Sequence, residues 1–370
     1  MRVDALTLEG WRNYQRQQLT FDDGCNVIYG ENAQGKTNLL EAIVYLSCGK
    51  SPRAHGDREL IGFDRQDALL VGQIFSRQRE FVTDIRLSRS KRRSMTVNGV
   101  KAKNGAALSD VLHTVFFAPE DLFLIRAGAA ERRRFMDMSL CQLRPRYAEA
   151  LSQYSRLYDH KTRILRDWQE DPSLLQTLDD FNLRMAQTGA ILIHYRAHFV
   201  KRLQEHAPAI HGDFSGARER LGLEYATVST VDDPLKIPRE LLPRLLEHQE
   251  SHRQAELDAR QCLSGPHKDD LLVTINGAPA KTFASQGQTR TAALSLKLAQ
   301  REIMEEETGQ WPVLLLDDVL SELDAKRQSF VLNRIKGGQL FITCCEEEKL
   351  EGLEGGRAFQ VKNGAFVAKP

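Results

Sequence analysis

The amino-acid sequence predicts an α/β protein whose strands and helices are interrupted by a mainly α-helical arm. Three observations lead to this fold class: a glycine-rich loop between an apolar strand and a helix, a fully apolar strand that ends in two aspartates, and long helical runs between them. Alternating strands and helices form α/β lobes, and amphipathic helices pack against one another. We expect residues 1–115 and 289–370 to form one lobe, and residues 116–288 to form the arm.

A phosphate-binding loop is predicted directly after the strand-like residues 26–29. It fits the pattern G-x-x-x-x-G-K-S/T without a mismatch, and apolar residues recur at helical spacing from about Lys36 onward. The backbone N–H groups of such a loop surround phosphates, its lysine reaches the β- and γ-phosphates, and its hydroxyl binds Mg²⁺. The sequence therefore predicts ATP and Mg²⁺ as cofactors, bound by Gly30, Glu31, Asn32, Ala33, Gln34, Gly35, Lys36 and Thr37.

An acidic pair follows the most apolar strand of the chain. Residues 313–316 are all apolar, and Asp317 and Asp318 come next. An acidic residue at the carboxyl end of a buried parallel strand faces the crevice in which ligands bind. We expect Asp317 to hold Mg²⁺ together with Thr37, and Asp318 to be catalytic by orienting or deprotonating the attacking water. A helix N-cap is the alternative interpretation of the pair, but the phosphate-binding loop favours the nucleotide site.

A third motif lies before the acidic strand, just ahead of the helix-like residues 292–305. It consists of Ser285, Gln286, Gly287 and Gln288, and its order and spacing resemble the L-S-G-G-Q signature of ABC ATPases, with Gln286 in place of the first glycine. A serine hydroxyl, a glycine amide and a helix N-terminus together suit an anion such as a γ-phosphate. Asp324, just after the acidic strand, resembles the ABC D-loop. This resemblance implies an ABC-type P-loop ATPase head with a mixed sheet, in which the signature of one copy faces the loop of another in an ATP-dependent homodimer.

The middle of the chain predicts a short antiparallel helical hairpin. Apolar and aromatic residues follow alternating steps of three and four over residues 147–168 and again over 181–206, with Pro172 in the break between the runs. Helices with such a narrow seam pack side by side when a short segment joins them. A third run follows Pro238, and each run covers only a few heptads, so the arm is short.

Composition and charge exclude some functions and leave others open. The chain is 41% hydrophobic and 27% charged, with a formal net charge of +1, and no apolar run approaches a membrane span. Neither a membrane segment nor a signal peptide is predicted, so we expect a cytoplasmic protein. The cysteines lack metal-site spacing. Two basic clusters are candidate contacts to the DNA backbone, or else solvated faces, at Arg92, Arg93, Arg132 and Arg133.

Several motifs along the chain resemble those of the RecF family of bacterial recombination mediators, which are SMC-like ABC ATPases. The segment Trp11-Arg12-Asn13-Tyr14 resembles the family's F-R-N-Y element, with tryptophan in place of phenylalanine. The segment Gly265-Pro266-His267-Lys268-Asp269-Asp270 resembles G-P-H-R-D-D, with lysine in place of arginine. Gln286 is the family's usual residue in the signature. The phosphate-binding loop is nearly the family's own, and the resemblance covers most of the chain.

The resemblance implies a DNA-binding protein of recombinational repair and replication restart. ATP held between two subunits would drive dimerisation on gapped or branched DNA, and slow hydrolysis would reset it. The resemblance also implies RecR and RecO as partners that help to load RecA. Two alternatives are an ABC transporter energy-coupling subunit, which needs a membrane partner and a shorter lobe, and an ATP-bound DNA scaffold that does not hydrolyse ATP.

The sequence departs from the general ABC pattern at three places. Most ABC enzymes carry glutamate where Asp318 stands, and the shorter side chain predicts slow, switch-like hydrolysis, because catalysis is sensitive to small displacements. Together with the DNA role that the resemblance implies, we expect a weak DNA-dependent ATPase. Thr343 and Cys344 occupy the place of the switch histidine. Arg12 is a candidate for an additional phosphate or ribose contact, or else a surface arginine.

Overall fold

The computed structural model describes residues 1–102, 105–335, 337–345, 356–362 and 365–367. The strands are β1 (Arg2–Trp11), β2 (Tyr14–Thr20), β3 (Cys25–Tyr29), β4 (Asp67–Ser76), β5 (Arg79–Ser88), β6 (Ser94–Val97), β7 (Val100–Lys101), β8 (Thr114–Phe117), β9 (Leu221–Ala226), β10 (Asp270–Ile275), β11 (Ala278–Pro279), β12 (Val313–Asp317), β13 (Leu340–Cys344), β14 (Arg357–Lys362) and β15 (Ala365–Val367). The helices are α1 (Lys36–Cys48), α2 (Ala106–Ser109), α3 (Ala129–Leu143), α4 (Pro145–Asp167), α5 (Leu178–Ser215), α6 (Pro238–Ala259), α7 (Ala280–Phe283), α8 (Gln286–Thr308) and α9 (Ala325–Arg334). No helix within the described ranges is long and apolar enough to cross a membrane.

The chain divides into two compact units. The first unit comprises residues 1–123 and 293–370, and the second unit comprises residues 124–292. The first unit contains two six-stranded sheets, and the second unit contains the long helices with a three-stranded sheet in the order β11-β10-β9.

One sheet of the first unit is an antiparallel sheet in the order β2-β1-β4-β5-β6-β7. Its residues alternate between buried and exposed along β4 and β5, as expected for a sheet with one face in the core. Tight turns join β1 to β2, β4 to β5 and β6 to β7. Asn98 and Gly99 connect β6 to β7 with positive φ angles of 49° and 76°, which confirms the hairpin predicted from this residue pair.

The other sheet of the first unit is mixed, in the order β15-β14-β3-β13-β12-β8. Strands β8, β12, β13, β3 and β14 run parallel, and β15 pairs antiparallel with β14. Every residue of β12 and β13 is buried, because strands in the middle of such a sheet are covered on both faces. Parallel pairing places the carboxyl ends of β3, β12 and β13 at the same edge.

The second unit contains the predicted antiparallel hairpin, formed by α4 and α5. Tyr147 at the start of α4 meets Arg196 far along α5, with 3.0 Å between the hydroxyl and Nε. Leu165 at the end of α4 packs against Leu178 at the start of α5. Helix α5 continues to Ser215, beyond the predicted seam, and α6 forms the third helical run.

A buried network of charges joins α3, α5 and the segment before β10. Arg196 is 3% exposed and donates to Asp269 (3.0 Å), to the carbonyl of Pro266 (2.7 Å) and to Asp137 (3.0 Å). Asp269 is fully buried and also accepts hydrogen bonds from Tyr225 and Thr227. Burial raises the pKa of Asp269, and Arg196 opposes that rise. The Gly-Pro-His-Lys-Asp-Asp segment is therefore an internal anchor of the second unit.

His267 of the same segment is held as a neutral imidazole. Its Nε2 donates to the carbonyl of Cys262 (3.0 Å), so its Nδ1 accepts from the hydroxyl of Tyr154 (2.8 Å). Burial lowers the pKa of His267 to about 4, and the charges of nearby Lys268, Lys161 and Arg133 act in the same direction. Protonation would place a further positive charge in this half-buried site beside three cations and remove the acceptor for Tyr154.

The stability of the protein should therefore depend on the protonation of His267. The unfolded chain binds a proton here near pH 6.5, whereas the folded protein does so only near pH 4. Because the unfolded state binds more protons between these values, the free energy of unfolding should fall as the pH is lowered through this window, by up to about 1.4 kcal/mol per pH unit. Urea unfolding at several pH values measures this slope.

His267→Asn should be less stable than the wild type at pH 7 and should lose this part of the pH dependence. His160→Asn changes an exposed histidine of the same unit and should keep the wild-type slope. Equal slopes for the wild type and His267→Asn would contradict the assignment.

Candidate nucleotide-binding site

The predicted phosphate-binding loop leaves the end of β3 and enters α1 at Lys36. Gly30, Ala33 and Gly35 have φ angles of 149°, 63° and 112°. Glycine is required at two of these positions, because a Cβ on Gly30 would lie 2.4 Å from the carbonyl oxygen of Val361, and one on Gly35 would lie 2.5 Å from Nδ2 of Asn13. Left-handed residues of this kind shape the concave backbone that binds anions.

Lys36 is held across the loop that precedes it. Its side chain is largely buried, and Nζ donates to the carbonyl oxygens of Gly30 (2.5 Å) and Glu31 (3.0 Å). The thiol of Cys345 donates to Oδ1 of Asn32 (3.1 Å), and Sγ lies 4.0 Å from the lysine Nζ. The ammonium group is thus placed inside the loop, where it can meet phosphate oxygens.

Thr37 and Asp317 meet although they lie far apart in the chain. The Thr37 hydroxyl donates to Oδ1 of Asp317 (3.0 Å), and the Thr343 hydroxyl donates to the same oxygen (2.8 Å). Burial raises the pKa of Asp317, whereas the hydrogen bonds from Thr343 and Thr37 and the charge of Arg53 oppose that rise.

A hydroxyl and a carboxylate are oxygen ligands of the kind that Mg²⁺ prefers, and Mg²⁺ commonly binds one or two protein ligands together with phosphate and water. Within the described residues, no group of three His, Cys, Asp or Glu side chains could hold a metal ion. The oxygen ligands of Thr37 and Asp317 fit Mg²⁺ that is shared with a nucleotide, because phosphate and water supply its remaining ligands.

Asp318 adopts an unusual backbone conformation directly after β12. Its φ is 52°, and its amide donates to the hydroxyl of Thr343 (2.8 Å). The Ser321 hydroxyl donates to the carbonyl of Asp318 (2.6 Å), and its Oγ lies 3.1 Å from Oδ1 of the same residue. The left-handed conformation costs most residues about 1–2 kcal/mol, and aspartate and asparagine tolerate it best after glycine. This turn gives a local reason for aspartate where most ABC enzymes carry glutamate.

The Trp-Arg-Asn-Tyr element forms the turn between β1 and β2 and supports the loop from behind. Nε1 of Trp11 donates to the carbonyl of Asn38 (3.0 Å), Nδ2 of Asn13 donates to that of Gln34 (2.9 Å), and the Tyr14 hydroxyl donates to that of Gly35 (2.8 Å). These bonds are directed at the backbone of the loop and of the first turn of α1. The element therefore positions the phosphate-binding loop.

Arg12 of this element has partners within the protein. Its Nε and Nη2 donate to the two carboxylate oxygens of Glu41, each at 2.8 Å, and its Nη1 donates to the carbonyl of Glu59 (2.8 Å). Glu41 is fully buried, so Arg12 supplies the countercharge that this carboxylate needs. The predicted nucleotide contact of Arg12 stays a prediction.

Sequence reasoning missed Arg53. This exposed residue follows α1, and its Nη1 lies 3.4 Å from Oδ1 of Asn38, which follows the loop directly. The chain folds back here because the Ser51 hydroxyl donates to Glu41 and accepts from the amides of Arg53 (2.9 Å) and Ala54 (2.7 Å). No local pattern in the sequence indicates this return, which places a cation near Asp317.

The signature residues form the N-terminus of α8. Oγ of Ser285 accepts from the Gln288 amide (3.2 Å), and Oε1 of Gln288 accepts from the Ser285 amide (2.8 Å), which is a capping box. The helix therefore begins at Gln286, earlier than the predicted start at about residue 292. Nε2 of Gln288 also donates to Glu219 (2.9 Å), whose other carboxylate oxygen lies 3.0 Å from Nε2 of His211. The positive end of the helix dipole lies at the motif, as an anion site requires.

Comparison with known proteins decides the family. Residues 2–364 match the RecF/RecN/SMC N terminal domain family. The chain is 38% identical over 374 residues to the DNA replication and repair protein RecF of Bacillus subtilis (strain 168), covering 99% of this chain and 100% of that protein. It is 37% identical over 356 residues to the protein of the same name from Acetivibrio thermocellus, covering 96% of each. The chain belongs to the RecF family.

Solved structures agree with this assignment. The recombination mediator protein RecF of the RecFOR pathway, in its structure with ATP, matches with a TM-score of 0.89 and 32% identity over 100% of this chain and 97% of that chain. An Smc head domain from Pyrococcus furiosus matches with a TM-score of 0.54 and 14% identity over 98% of this chain and 94% of that chain, a likeness of fold alone. The predicted ABC-type α/β head with a helical arm is confirmed.

The remaining predicted residues of this RecF-family chain differ in their exposure. Arg92 is exposed, whereas Nη1 of Arg93 donates to the carbonyl of Gly49 (2.7 Å) and to the Tyr45 hydroxyl (3.0 Å). Asp324 is the N-cap of α9, with its Oδ1 accepting from the Arg327 amide (2.9 Å). The predicted D-loop role of Asp324 stays a prediction.

Arg132 of the second basic cluster is buried within its own unit, and its predicted DNA contact stays a prediction. Its side chain is 5% exposed and makes a two-pronged pair with Asp270 (2.7 and 2.9 Å), while Nη1 donates to the carbonyls of Leu124 and Ile125. Arg133 is half-buried, and its Nη1 donates to the carbonyl of Asp269 (2.7 Å). The basic cluster is thus turned towards acidic and carbonyl oxygens of its own unit.

Removal of Arg12 tests whether it stabilises the protein or binds nucleotide. Arg12→Met should lower the free energy of unfolding by about 3 kcal/mol, because Glu41 is left as a buried carboxylate without its cation. The double variant Arg12→Met with Glu41→Gln should recover most of that loss, since no buried charge remains. Urea unfolding measures stability, and titration with ATP measures affinity. If the double variant regains stability but still binds ATP more weakly than the wild type, Arg12 contacts the nucleotide.

Proposed function

We propose that this chain is an ATP-dependent DNA-binding protein of recombinational repair and replication restart. ATP bound between two copies drives dimerisation on DNA, and slow hydrolysis resets the dimer. The observation that carries the proposal is the meeting of Thr37, Asp317 and Thr343 beside the phosphate-binding loop. Membership of the RecF family supports the DNA role over that of a transporter subunit.

In the proposed site each residue has one task. The amides of residues 30–37 and the ammonium of Lys36 bind the phosphates. Thr37 and Asp317 hold Mg²⁺, which neutralises phosphate charge when it is bound. Asp318 orients the attacking water, with its turn held by the Ser321 hydroxyl at the Asp318 carbonyl. The first unit thus acts as the ATPase lobe, and the second unit as the arm that presents the signature.

A single chain provides half of the proposed site. The capping box of Ser285 and Gln288 presents the positive end of α8, and this end would face the γ-phosphate bound by a second copy. The shorter carboxylate of Asp318 and its constrained turn favour slow hydrolysis, so that the dimer persists on DNA. RecR and RecO are proposed partners, because the similar solved structures are of RecF in the RecFOR pathway. RecA is proposed as a partner on the family resemblance alone.

ATP-dependent dimerisation is the central expectation. The full chain should change from monomer to dimer when ATP and Mg²⁺ are added, measured by size-exclusion chromatography with light scattering, with and without duplex DNA. Ser285→Arg should prevent the dimer, because a cation and a long side chain enter the interface, while ATP binding by one chain persists. Ser152→Arg, at an exposed serine of α4, is the matched control and should dimerise normally. A dimer formed by Ser285→Arg at wild-type strength would refute the role of the signature.

DNA binding should depend on Arg92 more than on the buried arginines. Arg92→Ala should weaken DNA binding and reduce the slope of log affinity against log salt by about 0.9 for each phosphate that the side chain neutralises. Fluorescence anisotropy of labelled gapped DNA at several salt concentrations measures this slope. Arg166→Ala, at another exposed arginine, should leave it unchanged. A slope that is the same for Arg92→Ala and the wild type would place the DNA-binding surface elsewhere.

A further inference from the structure

Thr343 lies where three parts of the site meet. It belongs to β13, stands opposite Asp317 in the parallel register, and is 1% exposed. Its hydroxyl donates to Oδ1 of Asp317 (2.8 Å) and accepts from the backbone amide of Asp318 (2.8 Å). A threonine hydroxyl has one hydrogen to donate, so these two bonds fix its orientation.

The hydroxyl of Thr343 determines how the Asp317 carboxylate is presented. The hydroxyls of Thr37 (3.0 Å) and Thr343 (2.8 Å) both donate to Oδ1 of Asp317. Among the described residues, Oδ1 is the oxygen of this carboxylate that receives side-chain hydrogen bonds, so Oδ2 is left for a metal ion. Two donors on one oxygen hold the carboxylate in one rotamer.

The same hydroxyl holds the turn that carries Asp318. The φ of Asp318 is 52°, so the chain leaves the sheet immediately after Asp317. In this conformation the Asp318 amide bonds to a side chain of the neighbouring strand, the Thr343 hydroxyl. Among the described residues, the Thr343 hydroxyl is the acceptor for the Asp318 amide. Its loss would remove the hydrogen bond that ties this amide to β13.

We infer that Thr343 is a positioning residue that sets the metal-binding Asp317 and the hydrolytic Asp318 in one geometry. This inference rests on the proposed function and deepens it. Thr343 lies near the place of the switch histidine of other ABC proteins, and its hydroxyl aligns the two carboxylates. Thr343 acts through these two residues and does not itself touch the nucleotide. Its hydroxyl is the chemical group that matters, and its methyl group only fills space in the core.

The test compares two substitutions of Thr343, each of which alters one group of the side chain. Thr343→Val keeps the shape and removes the hydroxyl, whereas Thr343→Ser keeps the hydroxyl. Thr343→Val should bind ATP normally without Mg²⁺, and its Mg²⁺ affinity in the presence of ATP and its kcat should each fall by about 10- to 100-fold, the range for loss of an outer-shell partner of a metal site. Thr343→Ser should restore both quantities, and KM for ATP should change little in either variant.

Thr114→Val is the matched control. Thr114 lies in β8 of the same sheet, is equally buried and shares a hydrogen bond of 3.0 Å with Ser47, distant in sequence from the acidic pair. It should retain wild-type Mg²⁺ affinity and kcat, so that loss of a buried hydroxyl alone is accounted for.

The possible results separate the inference from the function on which it rests. Wild-type values for Thr343→Val, or equal losses for the valine and serine variants, would overturn the inference and leave the proposed function intact. A loss of ATP binding by Thr343→Val without Mg²⁺ would also overturn it, because the residue would then act through the fold. A wild-type chain that bound no ATP would instead overturn the proposed function, and this inference with it.

Discussion

The parallel pairing of β3, β13 and β12 is the constraint on which the site depends. Asp317 stands opposite Thr343, and Cys344 stands opposite Tyr29, so the three strands end at one edge of the sheet. The phosphate-binding loop leaves β3, and the acidic pair leaves β12 at that same edge. Side chains 280 positions apart therefore meet at hydrogen-bonding distance. The pairing is held by two strands that are buried along their whole length, because burial of apolar residues stabilises the centre of such a sheet.

In each unit, a largely buried arginine neutralises buried carboxylates of the same unit. In the first unit, Arg12 neutralises Glu41 behind the loop, and in the second unit, Arg196 neutralises Asp269 and Asp137. A buried charge needs both a countercharge and hydrogen bonds, and each of these arginines supplies several donors in a fixed fork. The Trp-Arg-Asn-Tyr and Gly-Pro-His-Lys-Asp-Asp segments are thus explained by the local structures that they fix.

The sequence was sufficient for the parts of the site that follow from local patterns. The loop of residues 30–37 and the acidic pair could be predicted because a strand, a turn and a helix are each encoded within a few residues. The start of α8 at Gln286 could also be predicted from the sequence, because Ser285 and Gln288 have the spacing of a capping box. Apolar periodicity alone placed the start of this helix too late. The buried ion pair of Arg132 could not be predicted from a local pattern, because its partner Asp270 lies 138 positions away in the chain. From the sequence, Thr343 stands out only because it lies where other ABC proteins carry the switch histidine. The contacts of its hydroxyl depend on strand register and on the φ of Asp318, which no local pattern predicts.

The hydrogen-bond donors around Asp317 and Asp318 give a physical reason why the proposed site would bind ATP firmly and hydrolyse it slowly. Asp317 is held by two hydroxyls on one oxygen, and the turn at Asp318 is held by Thr343 at the amide and by Ser321 at the carbonyl. A carboxylate on a turn restrained in this way is well placed to orient one water but poorly able to move towards it, and the side chain is one methylene shorter than glutamate. Catalytic rates fall steeply with such displacements, whereas phosphate binding by backbone amides does not depend on them. In the proposed function the dimer persists for as long as ATP is bound, and this separation of binding from hydrolysis suits that proposed role.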